Sequence, residues 1–149
     1  MDSVRSFRVV RAVAVTYSSY LKVKELLGLQ APLSEGPEHD EMLFIVIHQV
    51  YELWFKQVLH EGGFLAHALE AKQTPQAQRT LRRILTIMKT VVAQVDVLET
   101  MTPLDFNSFR ARLDTASGFQ SEQFRRVEWM MGHRGMKRVS HLSAEAQAE

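Results

Sequence analysis

Apolar residues recur along this chain at the three-to-four-residue spacing of α-helices, and no stretch alternates convincingly like a half-buried strand. A first helix is expected from about Thr16 to Leu27, ending near Gly28, because glycine is common just past a helix end. The segment Ala31 to Glu38 carries Pro32, Ser34, Gly36 and Pro37 and reads as a loop. The next helix, from about His39 to Glu61, is apolar at positions 42 to 47, 50, 51, 53 to 55, 58 and 59. That is nearly the whole wheel, which predicts a central, buried helix. Gly62 and Gly63 should weaken or kink it before Phe64, Leu65, Ala68 and Leu69 resume the pattern. A third helix is expected from Thr74-Pro75, with Thr74 as N-cap, to about Thr100. One broad face of it carries Leu81, Ile84, Leu85, Ile87, Met88, Val91, Val92, Val95 and Leu98. Thr102-Pro103-Leu104-Asp105 caps a short helix over Pro103 to Leu113, with Asp105 at the positive end of its dipole. A loop from Asp114 to Gln120 and a last helix from about Ser121 to Met131 follow, and the chain turns polar after Gly132. The fold class is therefore all-α, a bundle of long helices, with an arm over residues 1–15 and one helical domain over 16–149.

Composition narrows the chemistry. The 149 residues contain no cysteine, so a disulfide framework, a zinc knuckle and a thiolate ligand to haem are excluded. An iron site would have to use histidine, methionine, tyrosine or carboxylate. Eighteen basic residues stand against seventeen acidic ones, and no basic stripe points to nucleic acid. Arg82/Arg83 and Arg125/Arg126 read as solvated helix faces. The longest apolar run, which contains Leu43 to Ile47 and begins at Met42, is too short for a membrane span. Arg11 interrupts the N-terminal apolar stretch, so no export signal is read and the cytoplasm is the expected compartment.

Three places set ionisable or hydroxyl groups on apolar helices. Phe44 and His48 are four residues apart and share a face. They form either a wall for a planar aromatic ligand with an N–H, or a core histidine bonded to a nearby carbonyl. Phe106 and Arg110 repeat the spacing, which suits either a clamp for a flat carboxylate ligand or an exposed cation stacked on a ring. Tyr17 and Tyr20 lie three apart, as interface residues often do. His39-Asp40-Glu41 fits a helix N-terminus better than a metal site, and His60 and His67 read as a solvent-facing pair. His133 and His141 fall in polar sequence. No phosphate-binding glycine loop, Gly-x-Ser-x-Gly or His-Glu-x-x-His occurs.

Four blocks, in order, resemble the tryptophan 2,3-dioxygenase family. They are Tyr17 to Leu21 with Leu26-Leu27, His39 to Gln57, Gln94 to Arg110, and Ala116 to Ser121 with Gln123 to Arg125. The resemblance runs from about Thr16 to Gly132. It implies a haem-dependent enzyme, with haem b as cofactor, that opens the indole ring of L-tryptophan with O2 to give N-formylkynurenine. By the same resemblance Phe44, His48 and Phe106 line the indole pocket, His48 accepting the indole N–H and standing as the catalytic candidate. Arg110 pairs with the substrate carboxylate, and Ser117 and Gly118 belong to a loop closing over substrate and haem. Tyr17 and Tyr20 reach a neighbouring subunit of a homotetramer. The haem's proximal histidine is expected beyond Glu149, so none is assigned here and the helical domain reads as incomplete at its C-terminus. Two departures from the family are the Gly62-Gly63 pair and the arm before Thr16. Two other functions remain open: a haem enzyme acting on a modified tryptophan or indole, and a non-catalytic helical module retaining only an oligomer interface.

Overall fold

The structure, a computed structural model, describes residues 14–36, 38–114, 116 and 118–133. The polar C-terminal tail with His141, most of the N-terminal arm, and Ser117 fall outside them. The chain divides into two compact units, Met1–Ala31 and Pro32–Glu149. All regular structure among the described residues is helical, as the apolar spacing predicts.

In the first unit the expected helix is split into α1 (Tyr17–Leu21) and α2 (Val23–Leu26). Thr16 and Ser19 close a capping box at its start. Lys22 then adopts a left-handed backbone, φ 53°, and the helix restarts. Neither helix has a buried residue, so no packing holds a longer helix together, and short helices are marginal by themselves.

The second unit is built on α3 (Asp40–Glu70), which runs 31 residues without interruption. The chain stays helical through Gly62-Gly63, where a weakened or kinked helix is expected. A Cβ on Gly62 would fall 2.1 Å from the Met130 sulfur, so the missing side chain is the space Met130 fills. A Cβ on Gly63 would meet nothing within 4 Å. Packing holds this stretch helical despite a glycine cost of about 1 kcal/mol per residue.

The chain reverses after Ala71, with Lys72 in a left-handed conformation, into α4 (Thr74–Leu98). Gln73, rather than Thr74, occupies the N-cap, and Pro75 lies in the first turn as expected. Next come α5 (Pro103–Arg110) and α6 (Glu122–Met130). The predicted capping box forms at Thr102 and Asp105, and the end of the predicted short helix tightens into a 3-10 turn, Ala111–Leu113. The predicted loop before α6 contains a second 3-10 turn, Gly118–Gln120, and Ser121 caps α6.

Helices α4, α5 and α6 all pack on α3. The core joins Phe55 and Val58 of α3, Ile84, Ile87 and Val91 of α4, and Val127 of α6. Each such side chain, fully buried, contributes about 1.5–3 kcal/mol. One expectation is corrected. Although central, α3 is not buried all round: Met42, Val46, Leu53, Phe64 and Leu69 are exposed, because its described neighbours cover only part of its circumference. The broad face of α4 also divides, with Ile84, Ile87 and Val91 buried while Leu81, Leu85, Val92 and Val95 stay exposed.

The arginine pairs divide as well. Arg83 crosses from α4 to the buried Glu61 of α3, its NH1 donating to Oε1 at 2.9 Å and Oε2 at 3.1 Å. Gln57 donates to the same carboxylate at 2.7 Å. Arg125 pairs with Glu128 at 2.7 Å and lies over the Phe124 ring. Arg82 and Arg126 are exposed, as expected of solvated faces.

Candidate aromatic and cationic site

The site begins where the loop before α3 is tied down. Glu41, in the first turn of α3, is buried and turns its carboxylate back toward that loop. Its Oε1 accepts the Leu33 N–H at 2.6 Å, and its Oε2 accepts the Ser34 N–H at 3.0 Å. The adjacent Ser34 side chain, helped by these two N–H donors and the charge of Arg112, outweighs burial and holds this carboxyl below the usual range. Arg112, just past α5, reaches Glu38 at 3.9 Å. These contacts bring the loop before α3 and the chain just past α5 to the N-terminal end of α3.

One turn further along α3 stands Phe44, and one turn beyond it His48. Their rings lie 4.1 Å apart, so the shared face inferred from their spacing is present. His48 Nδ1 is 2.7 Å from the Phe44 carbonyl oxygen. A carbonyl only accepts, so Nδ1 is the donor of this bond, and in the neutral imidazole Nε2 is the nitrogen that keeps the lone pair. The histidine is bonded to a nearby carbonyl, and that bond is what makes its other nitrogen an acceptor.

Helix α5 supplies the opposite side. Its Thr102 cap and Pro103 fix where the helix starts, and therefore where Phe106, Phe109 and Arg110 fall. The Phe44 and Phe106 centroids are 5.9 Å apart. Phe109 is fully buried, 5.6 Å from Phe44 and 5.5 Å edge-on from Phe106. The sequence reading missed Phe109. The signal was there: it lies three residues after Phe106, on the side of α5 that must face α3. The Arg110 guanidinium carbon lies 5.8 Å from the Phe106 centroid, and its side chain is exposed. Among the described residues no carboxylate is in ion-pair range of it. A cation over a ring face is held there electrostatically and still has its donor fork for an anion.

The third side comes from the turn before α6. A Cβ on Gly118 would stand 3.7 Å from His48 Nε2, so backbone approaches the acceptor nitrogen closely. Tyr51, one turn past His48, presents its ring edge-on to the imidazole at 6.5 Å and stacks on Phe55. Its hydroxyl is buried without a hydrogen-bond partner among the described residues, and burial pushes its pKa up.

Phe44, His48, Phe106, Arg110 and Gly118 are thus gathered in one place. Tyr17 and Tyr20 belong to the first unit, on α1, and both rings are exposed. His39, His60, His67 and His133 are exposed. A separate groove of about 420 Å³, lined by Leu65, Ala68, Leu69, Ala77 and Leu81, opens where α3 turns into α4. Leu65 lies roughly 25 Å along α3 from His48. The aromatic site combines an apolar wall, one aimed acceptor and one cation, which together suit a flat aromatic molecule carrying an N–H and a carboxylate.

Comparison with known proteins points the same way. The sequence model of the tryptophan 2,3-dioxygenase family matches residues 4–147. The tryptophan 2,3-dioxygenase of Herpetosiphon aurantiacus is 62% identical over 131 residues, covering 88% of this chain and 50% of its own length. That of Anaeromyxobacter sp. is 60% identical over 123 residues, 83% of this chain and 46% of its own. That of Arthrobacter sp. is 40% identical over 147 residues, 99% of this chain and 50% of its own. The chain spans about half the length of these curated relatives.

Proposed function

The chain belongs to the tryptophan 2,3-dioxygenase family, and from that premise we propose that it forms the substrate-facing wall of a haem-dependent enzyme that cleaves the indole ring of L-tryptophan with O2. The observation that carries the proposal is the convergence of Phe44, Phe106, His48 Nε2 and the Arg110 fork, unpaired among the described residues, on one site.

Each group has a task that its surroundings allow. Arg110 binds the substrate carboxylate through two parallel N–H bonds, fixing the amino-acid end. Phe44 and Phe106 set the plane of the indole ring. His48 Nε2 accepts the indole N–H and sets the rotation of the ring within that plane. As a neutral acceptor it orients the substrate, and the proposal does not require it to remove a proton. Gly118 belongs to the loop that closes over substrate and haem; Ser117, assigned to the same loop by the resemblance, lies outside the described residues. Tyr17 and Tyr20 are offered to a neighbouring subunit of a homotetramer, in keeping with their exposure.

Haem fits the aromatic wall on chemical grounds: Phe44 and Phe106, backed by the buried Phe109, give the apolar surface that a flat macrocycle requires. When bound, haem supplies the activation of O2 that leads to N-formylkynurenine, while the protein supplies binding and orientation. Its axial histidine is proposed to come from the part of the family's length that this chain does not span. No helix among the described residues is long and apolar enough to cross a membrane, and the cytoplasm is the compartment proposed.

The test is product analysis with the complete protein, loaded with haem and supplied with L-tryptophan and O2. N-formylkynurenine is the expected product. Turnover of a substituted indole without turnover of L-tryptophan would move the assignment to a modified substrate. A haem-loaded protein that turns over neither would sink the enzymatic reading.

A further inference from the structure

We propose that Gln123 is a positioning residue whose clamp on Glu52 sets the Gly118–Gln120 turn against the acceptor nitrogen of His48. The functional meaning of this placement rests on reading His48 as the acceptor of an indole N–H.

The argument starts from register. His48 and Glu52 are four residues apart on α3 and therefore share a face. The chain after α5 meets that face twice, in order: Gly118 against His48, and Gln123 against Glu52. At the second point the Gln123 side-chain amide donates to the Glu52 backbone carbonyl at 2.9 Å and to the Glu52 carboxylate at 2.8 Å. A bond to a carboxylate is about twice as strong as one between neutral groups, and this one is partly buried. A bond to the backbone carbonyl also ties Gln123 to the helix itself rather than to a mobile side chain.

The segment between the two contacts is internally bonded. The Ser121 N–H donates to the Gly118 carbonyl at 3.2 Å. The Phe124 N–H donates to Ser121 Oγ at 3.0 Å, closing the first turn of α6. The turn, the cap and the helix start therefore shift together, and Gln123 is a polar anchor of that group on α3. α6 also rests on α3 through Phe124 against Phe55, Val127 in the core and Met130 in the space over Gly62. Those contacts are apolar and non-directional, so they hold α6 down without the directional bonds that Gln123 makes at its N-terminal turn. Gly118 approaches Nε2 with backbone alone, and a small displacement of the turn would change the width left for a planar N–H donor.

The experiment uses isotopically labelled 149-residue chain and two readouts. One is the nuclear Overhauser contact between the Gly118 α-protons and the His48 ring, and the other is the affinity for L-tryptophan. In Gln123→Leu the contact should disappear and tryptophan should bind at least about fivefold more weakly. Gln123→Lys, which keeps a donor for Glu52, should retain both. Met130→Ala should lower the melting temperature yet keep the contact. Should Gln123→Leu not fold, Gln123→Asn, one methylene short of Glu52, reads the same distance. The proposal is overturned if the contact persists once the clamp is lost, or if Met130→Ala abolishes it equally. If the contact responds as expected while the unsubstituted chain and the complete haem-loaded protein both ignore tryptophan, the fault lies with the indole reading and the positioning role stands.

Discussion

Replacing Arg110 by alanine leaves the aromatic wall intact and removes the only cation placed over Phe106 in the described structure. A charge-assisted hydrogen-bonded pair is worth about 1.5–3 kcal/mol, so KM for tryptophan in the complete enzyme should rise roughly 10- to 150-fold. Arg110→Lys should recover only part, because an ammonium cannot make the two parallel bonds. Steady-state kinetics on both variants checks this, and an unchanged KM in Arg110→Ala would remove the arginine from the site. Glu41 gives a prediction about acid. Its carboxyl is held below the ordinary range when folded, so the folded state favours the ionised form. The resulting stability is fully present above the ordinary carboxylate range and is lost as pH falls through the depressed value. Glu41→Gln should therefore melt at lower temperature than the parent at neutral pH, and the gap should narrow on acidification. A gap that stays constant with pH would show that the charge contributes nothing. Legibility at this scale followed spacing. Phe44 with His48 and Phe106 with Arg110 were readable because a helix fixes what lies four residues apart. Glu41 and Gln123 were not given their roles, because their partners come from loop backbone and from a helix 71 residues away.

The element scale turns on two neighbouring glycines with opposite surroundings. Gly63→Ala adds a methyl group to open space within α3 and should stabilise the chain by up to about 1 kcal/mol through helix propensity. Gly62→Ala gains the same backbone term but drives its methyl into Met130, and overpacking costs about 1–3 kcal/mol. Thermal melts should therefore move in opposite directions, and adding Met130→Ala to Gly62→Ala should recover much of the loss. Additive effects of those two changes would contradict the contact. The glycine pair is also where periodicity misled. Local propensity argued for a weak point, but a helix packed by α4 and α6 stays continuous through it. The split of the first helix at Lys22 failed in the other direction. Its pattern looked continuous, yet no buried face sustains it. Caps were mixed: Thr102 starts α5 as its sequence suggests, because a capping side chain bonds only to its own first turn, whereas the expected Thr74 cap gives way to Gln73.

For the molecule as a whole, family and helical class were legible throughout, while the extent of burial was not. Periodicity shows which positions are apolar but not how many neighbours arrive to cover them. Leu81, Leu85, Val92 and Val95 form a stripe along α4 that the described chain leaves in water, and Leu53 and Val46 do the same on α3. Apolar faces of this length seek cover. The isolated 149-residue chain should therefore self-associate at micromolar concentration, measurable by sedimentation velocity. Val92→Lys with Leu85→Lys should shift it toward monomer without loss of helix. A strictly monomeric parent chain would contradict this. The same stripe has a calorimetric consequence. Unfolding takes up heat capacity in proportion to the apolar surface newly exposed, about 12–15 cal/mol/K per residue for ordinary domains. A chain whose native state already shows such a stripe to solvent should fall below that value, with a shallow dependence of stability on temperature. The missing heat capacity should return when a partner covers α4, so a calorimeter would register assembly as a steepening of the stability curve.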